Sequence, residues 1–178
     1  MDFTRPAPAD PYSLLPAPAV FTLTGPDVVD GERLPVAYTV DGEALSPALE
    51  WSGAPAGTRS FAVSCFDPDA PSPSGYWHWN LVDLPAEVTS LPRGAGGADG
   101  GLLPAGAFQV RGDGGYPGFE GAGPPRGDHE HRYVFAVHAL DAAPGRLVPG
   151  PGSTNAQVHV SIFFHLLGRA TLTATYGR

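Results

Sequence analysis

Residues 60–84, SFAVSCFDPDAPSPSGYWHWNLVDL, decide how the chain is read. They spell a strand, a polar turn and a second strand. Phe61, Val63 and Cys65 alternate with Ala62, Ser64 and Phe66, so the first strand presents one set of residues to each side of a sheet. By the same parity Asp67 falls on the face of Cys65, at the strand's exit. The turn from Asp67 to Gly75 is made of Asp, Pro, Ser and Gly, residues that stop strands and fix loops. The second strand, Trp77 to Val82, carries His78 on the face opposite Trp77 and Trp79. A carboxylate leaving one strand and an imidazole starting the next meet at one end of a sheet, and a pocket is built that way.

Outward from this pair, the chain reads as one loop-rich β domain. Its 178 residues fit one domain with a substantial core. Gly (24) and Pro (21) fill about a quarter of it, near the level of disordered chains, yet 42% of residues are hydrophobic and fall in short regular runs. Residues 1–18 are rich in Pro and Ala and read as an extended arm; residues 19–178 read as the domain. Short strands are expected over Val20–Thr24, Leu34–Val40 (with Pro35 at a start or an edge), Ser46–Trp51, Ala107–Val110 and Thr171–Tyr176. Arg132–Leu140 is apolar on both faces, the pattern of a central strand covered on both sides. Ser153-Thr154-Asn155 caps a helix in which Val158, Ile162 and Leu166 repeat at helical spacing, with Gly168 as its end. The total is seven to nine strands and one helix.

Charge and cysteine usage narrow the function. The net charge is −8 and every basic residue is Arg, which argues against non-specific binding to nucleic acid or anionic membranes. Cys65 is alone, so no internal disulfide framework exists. The first twenty residues lack the basic-then-apolar order of a secretory signal, and no apolar run approaches a membrane span. The expectation is a cytoplasmic protein with no integral membrane association. GxGxxG, P-loop, CxxC and HExxH spacings are absent.

Two clusters carry the possible chemistry. The first is Asp67, Asp69 and His78. The second is Gly121 to Tyr133, where His131 and Tyr133 share a face of the central strand and Gly123-Pro124-Pro125 leaves backbone groups open to a small anion. Taken singly, each reads first as structure: the aspartates as turn formers, His78 as a hydrogen-bonded core histidine, Gly123 to Gly127 as an ordinary loop. Taken together they gain meaning. A carboxylate against two imidazoles holds one of them charged, and imidazolium, tyrosine hydroxyl and glycine N–H are donors suited to phosphate, phosphonate or carboxylate oxygens. His129-Glu130-His131 lacks a third ligand in sequence, so no metal site is assigned. Arg132 points away from His131 and is read as an ion-pair partner. His138, His159 and His165 are read as packing or surface residues, Cys65 as an inert buried thiol.

With those residues in view, the chain resembles the phosphatidylethanolamine-binding proteins, especially their bacterial Raf-kinase-inhibitor-like branch. The matching stretches are Ser46–Trp51 (SPALEW), Asp67–Pro71 (DPDAP), Trp77–Trp79 (WHW), Gly123–Pro125 (GPP), His131–Phe135 (HRYVF), and Ala170–Leu172 with Tyr176–Arg178. They occur in the family's order over residues 20–178. The resemblance implies a mainly β, sandwich-like fold with a central antiparallel sheet and one C-terminal helix. It implies a small anion pocket in which Asp67 orients a histidine, His78 and His131 flank the anion, and Gly123 and Tyr133 donate or shape. It further implies a non-catalytic binder of a phospholipid head group, a nucleotide or a phosphorylated side chain, with no cofactor and no metal. The alternatives are a protein–protein inhibitor of a kinase or hydrolase, acting through the pocket rim and loops, and a weak hydrolase with His131 or His78 as base. The chain departs from the family in a Gly/Ala/Pro loop at residues 94–106, in Gly121-Ala122-Gly123, and in the added charge of Asp128-His129-Glu130. Ala70-Pro71 and Pro124-Pro125 are candidates for cis peptide bonds.

Overall fold

The computed structural model describes residues 4–147 and 149–178, so the first three residues of the arm lie outside it. Nine strands and one α-helix are ordered as β1 (Ala19–Val20), β2 (Thr22–Thr24), β3 (Leu49–Ser52), β4 (Ser60–Asp67), β5 (Tyr76–Pro85), β6 (Ser90–Leu91), β7 (Phe108–Val110), β8 (His131–Leu140), α1 (Asn155–His165) and β9 (Leu166–Tyr176). Short 3-10 helices cover Pro11–Leu14 and Val36–Tyr38. Six strands form one sheet in the order β1-β9-β8-β4-β5-β7, antiparallel except for the β1–β9 pair. The antiparallel strands β2-β3-β6 form a smaller sheet.

The alternation in β4 builds the layers. Phe61, Val63 and Cys65 face the larger core, where they meet Leu23, Leu49, Trp51 and Leu91 of the small sheet. Ala62 faces the other way, into a smaller core with Val82, Leu140, Val158 and Ile162 beneath α1. The molecule is therefore a sandwich of two sheets with one helix packed on its outer side. β8 lies between β4 and β9 and is buried almost throughout, as its two apolar faces require.

Four sequence expectations are corrected. Val20–Thr24 is not one strand: it is interrupted at Phe21, and its halves join different sheets. Leu34–Val40 is not a strand; Pro35 precedes a 3-10 turn, closed by the Thr39 hydroxyl bonding back to the Val36 carbonyl. The helix stops at His165 rather than Gly168, and β9 begins at once. Gly168 pairs with both Ala19 and Ala139, and a Cβ there would press on the Pro55 ring at 2.8 Å. The helix start is as read: Thr154 caps Gln157 in a reciprocal capping box. The fourth correction is at His78, where strand alternation breaks. Every peptide bond among the described residues is trans, including Ala70-Pro71 and Pro124-Pro125.

Candidate ligand-binding site

β4, β5 and β8 open at one end onto a cavity of about 440 Å³, lined by Val40, Asp67, Ala70, Pro71, Ser72, Tyr76, His78, Glu120, Gly121, Gly123, Pro124, Pro125 and His131. The turn after Asp67 forms one wall and the Glu120–Pro125 loop the other. Two features hold the first wall. Gly75 has φ +66, and a Cβ on it would strike the Phe66 ring and lie 2.7 Å from the Asp67 carbonyl, so only glycine fits. Asp69 receives the Arg132 guanidinium at 2.8 and 2.9 Å and the Arg132 amide at 2.8 Å, which ties the turn to the start of β8. Burial opposes the Asp69 charge, but those Arg132 contacts hold its carboxyl below the usual range.

His78 reaches the cavity because β5 bulges. Cys65 pairs with Trp79 and Phe66 with Trp77, so His78 is an extra residue in the ladder. The two tryptophans consequently part company. Trp79 enters the larger core and donates to Gln109 at 2.6 Å, while Trp77 stacks on His159 of α1 at 3.7 Å. His78 turns toward Tyr133, edge to face at 5.2 Å. Read by parity alone, it would oppose both tryptophans; it opposes only Trp77.

The charged centre is Asp67 with His131. Asp67 Oδ2 lies 2.8 Å from His131 Nδ1 and 4.0 Å from His78 Nε2, and its Oδ1 accepts the Asp69 amide at 2.8 Å. His131 is buried, which disfavours its charge; the Asp67 hydrogen bond and charge, with those of Asp128, outweigh that and raise its pKa. His78 goes the other way. Burial lowers its pKa, only partly offset by the Glu120 carbonyl, 2.7 Å from Nδ1, and by Asp67. Nδ1 of a neutral His78 donates to that carbonyl, which leaves Nε2 as an acceptor facing the cavity. The result is one ring pushed toward its charged form and one toward its neutral form against a single carboxylate oxygen.

Of the five residues singled out in sequence, Asp67, His78, Gly123 and His131 line the cavity. Tyr133 stands behind His78, fully buried. Its hydroxyl makes no complete hydrogen bond; burial raises its pKa, with the Gly123 amide as a weak counterweight. Asp69, part of the same sequence cluster, does not line the cavity. Sequence reasoning missed three contributors. Glu120 closes the second wall, its side chain accepting the Tyr76 hydroxyl at 2.7 Å. Asp128 meets His131 Nε2 at 3.1 Å. Arg5, from the arm, donates to both Asp128 oxygens at 3.0 and 2.8 Å. Only Asp128 carried a sequence signal, as a charge added beside the pocket; nothing local marks Arg5.

Comparison with known proteins places this geometry. The sequence profile described as phosphatidylethanolamine-binding protein matches residues 24–177. The chain is 45% identical over 157 residues to the UPF0098 protein YbhB of Escherichia coli, covering 84% of this chain and 96% of that one. It is 35% identical over 163 residues to the putative lipoprotein LppC of Mycobacterium tuberculosis, covering 90% and 75%. Among solved structures, E. coli YbcL, titled a new member of the mammalian PEBP family, superposes with a TM-score of 0.84 at 43% identity, covering 89% and 98%. A phosphatidylethanolamine-binding protein of Plasmodium vivax, at 15% identity and a TM-score of 0.62, shares the fold alone. By profile, sequence and fold, the chain belongs to the phosphatidylethanolamine-binding protein family.

Proposed function

We propose that this chain binds a small phosphate- or carboxylate-bearing ligand in the Asp67–His78–His131 cavity and does no chemistry on it. The observation that carries the reading is the single Asp67 oxygen shared between the two imidazoles, 2.8 Å from one and 4.0 Å from the other. It favours charge on the His131 ring, while burial favours neutrality on the His78 ring. A singly protonated phosphate suits that pair: its oxygens are attracted to the His131 charge, and its O–H donates to His78 Nε2. Gly123 gives the ligand backbone at close quarters. A Cβ there would lie 3.0 Å from the Val40 methyls and narrow the cavity.

Binding rather than turnover is favoured by the fate of the nucleophiles. Ser72, the aliphatic hydroxyl in the cavity wall, donates to the Gly75 carbonyl at 2.6 Å. Cys65 is buried, and burial first, then the Asp67 charge, pushes its thiol well up. A nucleophile needs a base in reach and an open path to substrate, and neither residue has both.

The test is a titration with inorganic phosphate and then phosphoethanolamine, followed by the ring signals of His78 and His131. Saturable shifts at these two rings are expected, and His131→Ala, which removes the ring charge beside the ligand, should weaken binding about tenfold. Equal affinity in the wild type, His78→Ala and His131→Ala would overturn the assignment.

A further inference from the structure

The start of β8 carries a set of donor atoms of which only His131 also lines the cavity. Asp128, His129 and His131 each bring one possible ligand atom to within 4.8 Å of the others. His131 and the Asp128 side chain are buried, while the His129 side chain is 36% exposed, so the cluster has a solvent-facing side. In sequence the His129-Glu130-His131 run lacked a third ligand. The Pro125–Asp128 turn supplies one, its backbone closed by the Asp128 amide on the Pro125 carbonyl at 3.1 Å.

Two further observations point to a cation. Asp67 backs His131 at Nδ1, 2.8 Å away, which turns Nε2 toward the cluster. A carboxylate behind an imidazole in this way fixes the tautomer and raises the basicity of metal-ligating histidines. Moreover, a cationic group already sits there. The Arg5 guanidinium lies 2.8 Å from Asp128 Oδ2 and 3.5 Å from His131 Nε2, and it also donates to the Asp69 carbonyl. Its NH2 group sits where Asp128 Oδ2, His131 Nε2 and the Asp69 carbonyl converge.

We propose that Asp128, His129 and His131 bind one divalent transition-metal ion of the Zn²⁺ class, in competition with the Arg5 guanidinium. Two imidazoles and a carboxylate are the donor set of zinc-type ions, whereas calcium and magnesium take oxygens. Asp128 brings its charge to this point and Asp69 Oδ1 lies 3.8 Å from His129 Nε2, so a doubly charged ion is attracted there more strongly than a singly charged one. Binding the metal displaces Arg5 and the proton on His131 Nε2, so metal and anion exclude one another at His131, while Arg132 still holds the arm through the Pro8 carbonyl at 2.8 Å.

The experiment uses Co²⁺ as a coloured probe on the full chain, followed by displacement with Zn²⁺ in a calorimeter. One saturable equivalent is expected, with visible absorption of a low-coordinate nitrogen- and oxygen-bound Co²⁺. His129→Ala, at an exposed position outside the cavity, should weaken binding at least about tenfold, and Asp67→Asn should weaken it by about 10- to 100-fold, as loss of such a backing group does. Arg5→Ala should tighten it several-fold. His165→Ala, elsewhere on the surface, is the control. No saturable binding, or an affinity unchanged in His129→Ala, or one lost only in His165→Ala, would overturn the site.

Discussion

Asp67 meets three partners with two oxygens: the His131 ring, the Asp69 amide and, more distantly, the His78 ring. Its hydrogen bond and charge, with those of Asp128, hold His131 toward its charged form, so replacing it tests the proposed binding directly. In Asp67→Asn the side chain keeps its size and a carbonyl oxygen for His131 Nδ1, but the charge is gone. A charge-assisted hydrogen bond is worth about 1.5–3 kcal/mol, so phosphate affinity should fall about ten- to a hundredfold with the fold retained. Calorimetric titration of both proteins measures it, and an affinity within twofold of wild type would mean that ligand binding does not depend on the His131 charge. Much of this was legible in sequence, because Asp67, His78, Gly123 and His131 stand in short, recognisable stretches. What was not legible came through space. Arg5 is 123 residues from Asp128 in the chain, and a proline-rich arm has no periodicity that says where it docks. His78 was misplaced relative to Trp79 because a bulge adds a residue to the ladder without leaving a mark in an alternating sequence.

At the level of elements, the β4–β5 connection sets the cavity's width, and Gly75 is its tightest point. The positive φ alone costs a side chain about 1–2 kcal/mol, and forcing a methyl against packed atoms costs about 1–3 kcal/mol more. Gly75→Ala should therefore lower stability by roughly 2–5 kcal/mol, read from the denaturant midpoint at constant slope. A loss below about 0.5 kcal/mol, the size of an ordinary surface change, would show that the turn adapts. This element was readable because Pro, Ser and Gly leave few other conformations. β4 and β8 were readable because burial on both faces leaves unbroken apolar runs. The α1–β9 junction was not. Val158, Ile162 and Leu166 continue a helical period past the true end, and the chain turns at Leu166 because β9 there pairs with β8, a contact invisible to local spacing. Leu34–Val40 failed for a different reason: its apolar residues suit a strand, but no long partner strand lies beside it, only isolated bridges at Arg33 and Thr39.

Across the whole molecule, histidines sit on both sides of the large sheet, and their burial sets its response to acid. On the helix side His138 of β8 faces Ser64 of β4 at 3.1 Å, Arg169 of β9 at 3.4 Å, the Tyr12 ring of the arm and His159 of α1. His159 faces Asn80 of β5 at 2.8 Å and the Trp77 ring. Burial, then the Arg169 charge, takes His159 down to about 3; burial, then His159 and Arg169, takes His138 well below its ordinary value. Burial also lowers His78 on the cavity side. Above about pH 6.5 these rings are neutral in both folded and unfolded chains. Below it the unfolded chain takes up protons that the folded chain refuses, so stability falls as pH drops toward the folded values, by about 1.4 kcal/mol per pH unit for each ring kept neutral. His131, whose folded value is raised, gains its stabilisation between that value and about 6.5 and adds nothing further below. Asp83, buried and shifted up, works against the trend, one group against three. Guanidinium unfolding at pH 7 and pH 5 should therefore show a loss of several kcal/mol at the lower pH. In His159→Gln, where one of the refused protons no longer exists, the loss should shrink by up to about 2 kcal/mol. Equal stability at the two pH values, or an unchanged difference in His159→Gln, would mean that these rings reach water and take their protons without unfolding.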